Sequence, residues 1–148
     1  MRISSRAKYG IAALVVIAQN QDASGVTTVI SISEKLGISK IYLEQIFTLL
    51  KRSGLVSAVK GSQGGYHLTR PASSITALDA LMALEHGLFE QTEEPVLGKS
   101  PEIEQVMNDC IFTKADAALR NELQKVTLDD LVVSVEKLSG EDNLMFYI

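Results

Sequence analysis

The 148-residue sequence has no tryptophan, one cysteine, two histidines and three prolines, and aromatic side chains make up only 5% of it. Its single cysteine, Cys110, cannot close an intrachain disulfide, and a zinc site built on cysteine pairs is excluded for the same reason. No metal-ligand set and no cofactor are expected. The longest unbroken apolar run, Ile11 to Ala18, falls far short of the roughly 20 residues that a membrane span requires, so no membrane role is expected. The opening Met1-Arg2-Ile3-Ser4-Ser5-Arg6 leads into no long apolar leader, and the expected location is cytoplasmic. Neither His67 nor His86 has a serine or cysteine placed beside it as a nucleophile, so an enzyme is not expected.

What is present is a core-forming composition, 46% hydrophobic and 22% charged, in one domain's worth of chain. The net charge of −4 hides a polarised molecule. Residues 1–70 carry nine Lys/Arg against three acids, a balance of +6, whereas residues 71–148 carry five against fifteen, a balance of −10. The first part suits a polyanionic partner.

Apolar positions in Ser5 to Asn20 follow helical spacing, with Tyr9, Ala12, Ala13, Val16 and Ile17 on one stripe. After a polar loop, Thr27 or Thr28 caps a short helix with Val29, Ile32 and Leu36 inward, closed at Gly37. Ser39 then caps a third helix whose inner face is Leu43, Ile46, Phe47 and Leu50, ended at Gly54. Two helices joined by so tight a turn form a helix-turn-helix. Leu55 to Val59 and Tyr66 to Arg70 read as the strands of a hairpin with the glycine-rich tip Lys60-Gly61-Ser62-Gln63-Gly64-Gly65, and Pro71 stops the second strand. Thr76-Ala77-Leu78-Asp79 opens a fourth helix, continued inward by Leu81 and Met82.

Residues 87–101, with Glu90, Glu93, Glu94, Pro95 and Gly98, read as a long irregular connection. Glu102 to Lys125 follows as the longest helix, with Ile103, Met107, Ile111, Ala115, Leu119 and Leu123 along one stripe; a second copy of the same helix is its simplest cover, giving a two-fold homodimer. That placement also predicts a buried Cys110. Thr127-x-x-Asp130 starts a last helix with Leu128, Leu131, Val132, Val135 and Leu138 inward and Gly140 at its end; the tail Asn143-Leu144-Met145-Phe146-Tyr147-Ile148 is strongly apolar. The expected fold is mainly α with a small β-hairpin wing: a winged helix-turn-helix over 1–86, a connecting loop over 87–101, and a dimerisation helix with a C-terminal helix over 102–148.

This order points to double-stranded DNA as the partner. On the outer face of the third helix, which also carries Ile41, Ser39, Lys40, Tyr42, Gln45, Thr48 and Arg52 can bond to phosphates or base edges, and Glu44 can accept from the cytosine amino group. Lys60 can enter the minor groove, Ser62 and Gln63 stand at the tip, and Gly61, Gly64 and Gly65 ahead of Tyr66 let backbone N–H groups approach the strand. Arg2, Ser4, Arg6 and Lys8 complete the candidate DNA-binding set.

Tyr42-Leu43-Glu44-Gln45-Ile46, Ser53-Gly54-Leu55-Val56, the run from Lys60 to Leu68, Ile75-Thr76 and Thr127-Leu128-Asp129-Asp130-Leu131 resemble, in this order, the Rrf2 family of bacterial winged-helix regulators. The resemblance runs from Met1 to about Leu138. It implies a homodimer on a palindromic operator, with the residue matching Glu44 reading a base in the major groove and the one matching Lys60, commonly arginine, reaching the minor groove. Lysine at this position weakens narrow-groove reading, because it is more strongly hydrated. Many members hold an iron-sulfur cluster on three cysteines; this sequence departs from that pattern, and one thiolate per chain does not supply a usual cluster's ligands. The ending Met145-Phe146-Tyr147-Ile148 is similar to that of the family's cluster-free cysteine-metabolism repressors, which implies control of cysteine or sulfur metabolism genes and cysteine synthase as a partner. Two other readings stay open: a cluster or redox sensor drawing on His86, Glu90, Glu93 or Cys110 from both chains, and an interaction module that acts on cysteine synthase without touching DNA.

Overall fold

The computed structural model describes residues 2–21, 25–90 and 99–146. Helix α1, Ser5–Asn20, begins where the Ser4 hydroxyl accepts the Ala7 N–H at 3.1 Å, leaving one fewer orphan donor in the first turn. Its inward residues are Ala7, Gly10, Ala13, Leu14, Val16 and Ile17. Tyr9, expected on that stripe, is instead 41% exposed, and Ala12 is half-buried. The cause is Gly10: a Cβ there would lie 2.5 Å from a Leu84 methyl, so α1 meets the fourth helix through its glycine and the stripe turns by one residue.

Helices α2, Val29–Leu36, and α3, Lys40–Arg52, are joined at Gly37, whose φ of 67° is left-handed and whose N–H returns to the Ser33 carbonyl at 2.9 Å. Thr28 caps α2 and Ser39 caps α3, each accepting the N–H three residues on. The Ser33 hydroxyl donates to the Ile38 carbonyl at 2.7 Å, and Ile38 is buried, so the turn is tied from both sides. Leu43, Ile46, Phe47 and Leu50 are all fully buried, as the spacing predicts.

Strands β1, Val56–Val59, and β2, Gly65–Leu68, pair antiparallel with Val56 opposite Leu68 and Val59 opposite Gly65. Thr27 bonds Tyr66 in both directions at 2.8 Å and so lies along the other side of β2. Helix α4, Ala77–Leu84, carries the expected capping box between Thr76 and Asp79; Met82, expected inward, is exposed on it. Asp79 also pairs with Arg70 at 2.9 Å.

The long helix is one helical run over 101–124, made of α5, Pro101–Met107, a π-helical turn, Asn108–Phe112, and α6, Thr113–Gln124. The π turn is a departure from the regular helix that the spacing predicts, and it inserts one extra residue and re-aims the side chains around it. Cys110, expected to be buried, lies in this turn and is exposed. Helix α7, Leu128–Phe146, starts with a reciprocal Thr127–Asp130 cap and is stitched to the start of α4, the Ala77 N–H bonding the Val126 carbonyl and the Leu128 N–H the Ile75 carbonyl. Leu128 is fully buried in the winged-helix core.

Gly140, read as a stop, is carried through inside α7, since its φ is not positive. Val135 and Leu138, expected inward, are exposed, and Leu131 and Val132 are half-buried. Asp22 to Ser24, Glu93, Glu94, Pro95 and Gly98 of the connection, and Tyr147 and Ile148 of the tail lie outside the described residues. Among the described residues no helix is long and apolar enough to cross a membrane.

Candidate nucleic-acid interface

The exposed side of α3 is set by its buried side. With Leu43, Ile46, Phe47 and Leu50 inward, the residues about 180° away at 100° per residue are Ile41, Gln45, Thr48 and Arg52, and all four are exposed. Lys40, Glu44 and Lys51 flank this line and are also exposed. Ile41, placed on this face by the sequence, is not counted there among the DNA-bonding residues, and Lys51 is absent from the sequence-derived set; the signal for Lys51 was its helical position beside the outward line. Thr48 turns its hydroxyl back to the Glu44 carbonyl at 2.9 Å, and Tyr42 is half-buried, edge-on to Tyr9 with ring centroids 5.8 Å apart.

The wing is fastened to α3 by a stacked pair, Phe47 and Tyr66, with centroids 4.1 Å apart and planes 7° from parallel. Tyr66 therefore belongs to the frame of the site more than to its outer surface. Burial, followed by the nearby Glu44 carboxylate, pushes its phenol pKa upward, so the hydroxyl stays protonated. This places the Glu44 side chain within electrostatic reach of the wing. At the tip Lys60, Gly61, Ser62 and Gln63 are exposed.

Gly64 and Gly65 also meet a demand of the fold, separate from the close approach to DNA expected from the sequence. A Cβ at Gly64 would run into the Val59 carbonyl oxygen, and one at Gly65 into the Thr27 carbonyl oxygen. Both glycines are demanded by the chain's own backbone. At the N-terminus, Arg2 and Lys8 are exposed, whereas Ser4 and Arg6 are committed within the fold. The Ser4 N–H donates to Glu85 Oε1 at 2.7 Å and Arg6 Nε–H to the Leu84 carbonyl at 3.2 Å. Hydrogen bonds from the Ser4 hydroxyl and N–H hold the Glu85 carboxyl below the usual glutamate range.

On the long rod, Ile103, Ile111 and Ala115 are exposed, Met107 and Leu119 half-buried, and Leu123 packs against the winged-helix core. Steps of four residues overshoot the 3.6-residue turn by about 40° each, so the stripe winds round the rod and its end reaches the chain's own core. Val106 and Phe112, not in the sequence-derived stripe, are exposed beside it, and Arg120 lies 3.8 Å from the centre of the Phe89 ring.

A cysteine-ligated cluster does not fit this chain. Cys110 is the one thiol of the sequence, and among the described residues no three His, Cys, Asp or Glu side chains gather as a metal site.

The Rrf2 family model, described as an iron-dependent transcriptional regulator, matches residues 3–134. The chain is 33% identical to the HTH-type transcriptional regulator IscR of Escherichia coli over 138 residues, covering 93% of this chain and 84% of that protein. Among solved structures it is similar to CymR, the global cysteine regulator of B. subtilis, with a TM-score of 0.72 and 28% identity over 90% of this chain and 98% of that one. IscR of T. potens gives a TM-score of 0.71 at 29% identity, covering 93% and 90% of the two chains. These relatives are regulators of transcription, not enzymes. With helix-turn-helix, hairpin wing and long rod in the same order, this chain belongs to the Rrf2 family of winged-helix, DNA-binding transcription regulators.

Proposed function

We propose that the chain acts as a homodimeric repressor of cysteine or sulfur metabolism genes in the cytoplasm, binding a palindromic operator with α3 in the major groove and the wing at the minor groove. The observation that carries this reading is the exposed α3 face from Lys40 to Arg52, held beside the exposed Lys60 tip by the Phe47–Tyr66 stack. Glu44 accepts from a cytosine amino group, and Lys40, Lys51 and Arg52 meet phosphates. The likeness to the global cysteine regulator supports the sulfur assignment.

Binding of the purified chain to duplexes enriched from a random pool tests the reading. Affinity falls steeply with salt, and Lys60→Ala lowers the slope of log K against log salt by about 1 for each phosphate that the lysine neutralises. Glu44→Ala costs about 1–3 kcal/mol on the selected site and relaxes preference at one position of each half-site. Salt-insensitive binding contradicts the proposal. Leu144 and Met145 stand exposed near the end of α7, which supports docking of this segment on a partner or on its own dimer. Cysteine synthase is the partner the resemblance implies, and co-purification of the two proteins, lost in Leu144→Asp, tests it.

A further inference from the structure

We propose that Ile41 is a base-reading residue and that its ligand is the 5-methyl group of thymine. The proposal rests on the DNA-binding reading above and extends it to a specific base. Ile41 is 73% exposed in the first turn of α3, the part of a recognition helix that meets base edges. It is the N-terminal member of the outward line with Gln45, Thr48 and Arg52, and it points almost directly away from the core residues of α3. Its neighbours leave it uncovered: Tyr42 is turned to Tyr9, and Thr48 is bonded to its own helix.

An isoleucine side chain has no donor or acceptor to offer a phosphate, so only apolar contact repays its exposure to water. In the major groove the thymine methyl is the apolar group that distinguishes one base from the others. The β-branched side chain has essentially one χ1 rotamer in a helix, so it is presented ready-oriented. The first turn that bears it is held by the Ser39 cap and the Ser33–Ile38 bond. The exposed apolar side chains of α5 to α7 form a separate set on an acidic part of the chain, whereas Ile41 stands next to Lys40 in the cationic one, a setting for a polyanion. Ile41 and Glu44 are three residues apart and so neighbours on the helix surface, which places the thymine one step from the pair that Glu44 reads.

The experiment uses duplexes enriched from a random pool by the full chain, with each thymine replaced in turn by deoxyuridine, which lacks only the methyl. The wild type loses about fourfold in affinity at one thymine per half-site, the size expected for one buried methyl. Ile41→Ala binds the thymine and uracil duplexes alike at that position, and Ile41→Val, which keeps the branched methyls, remains sensitive. A wild type indifferent to every uracil, or an Ile41→Ala variant as uracil-sensitive as wild type, overturns the proposal while leaving DNA binding intact. Failure to enrich any duplex overturns the DNA-binding reading itself, and this inference with it.

Discussion

A Cβ on residue 65 would collide with the Thr27 carbonyl oxygen and lie 2.7 Å from its carbon, inside any tolerable approach. Thr27 cannot move away, because it is buried and bonded to Tyr66 through both of its backbone groups. Gly65→Ala therefore prises the 25–28 segment off β2 and costs about 1–3 kcal/mol, read as a lower midpoint in urea at an unchanged slope. Gly61 is the contrasting case: its φ is 115° and a Cβ would meet nothing within 4 Å, so Gly61→Ala strains the backbone without a clash. The glycine-rich tip was legible as a tip. Which partner required each glycine was not, since the Thr27 backbone approaches from a distant part of the sequence and leaves no mark in spacing.

Among the elements, α1 and α4 are joined at their ends by one carboxylate. Glu85 caps the exit of α4 and accepts from Ser4 at the entry of α1, with Arg6 bonded to the carbonyl beside it. The folded pKa of Glu85 lies below its unfolded value, so its contribution is complete above the ordinary glutamate value of about 4.3 and is lost as pH falls through the folded pKa. Glu85→Gln then destabilises the fold by about 1 kcal/mol at neutral pH and has a shallower loss of stability from about pH 5 toward acid than wild type, seen in melting curves taken across that range. Equal acid slopes in the two proteins would show that the carboxylate does not tie these ends. Caps such as Ser39, Thr76 and Thr127 were readable because capping is local, a side chain and an N–H three residues apart. The π turn at Asn108–Phe112 was not, because it holds neither proline nor glycine and its hydrogen bonds differ from the α pattern by one position. Gly140 misled for a related reason: glycine ends α2 at Gly37 through a left-handed φ, a conformation that the residue permits and does not impose.

For the whole molecule, the separation of charge and apolar surface makes a geometric argument for two copies. The cationic part of the chain contains α3 and the wing, while Ile103, Val106, Ile111 and Phe112 stand exposed on the rod over 101–124. Each such side chain is already about half covered, so burying the rest contributes about 0.8–1.5 kcal/mol, and together they favour an isologous pair. Ile111 is 56% exposed and Phe112 52%, and both follow directly on the exposed Cys110, so the π turn belongs to the surface that a second copy would cover. A charge placed there has to be stripped of water when a second copy covers it. Ile111→Glu with Phe112→Glu leaves the winged-helix core untouched, since neither residue belongs to it, and yields monomers by sedimentation at micromolar concentration. Binding to a full palindrome then drops by about 100-fold or more because the second half-site is no longer engaged by a linked protomer, while binding to an isolated half-site is unchanged. A double variant that still sediments as a dimer would place the shared surface elsewhere, on the exposed Val133, Val135 and Leu138 of α7.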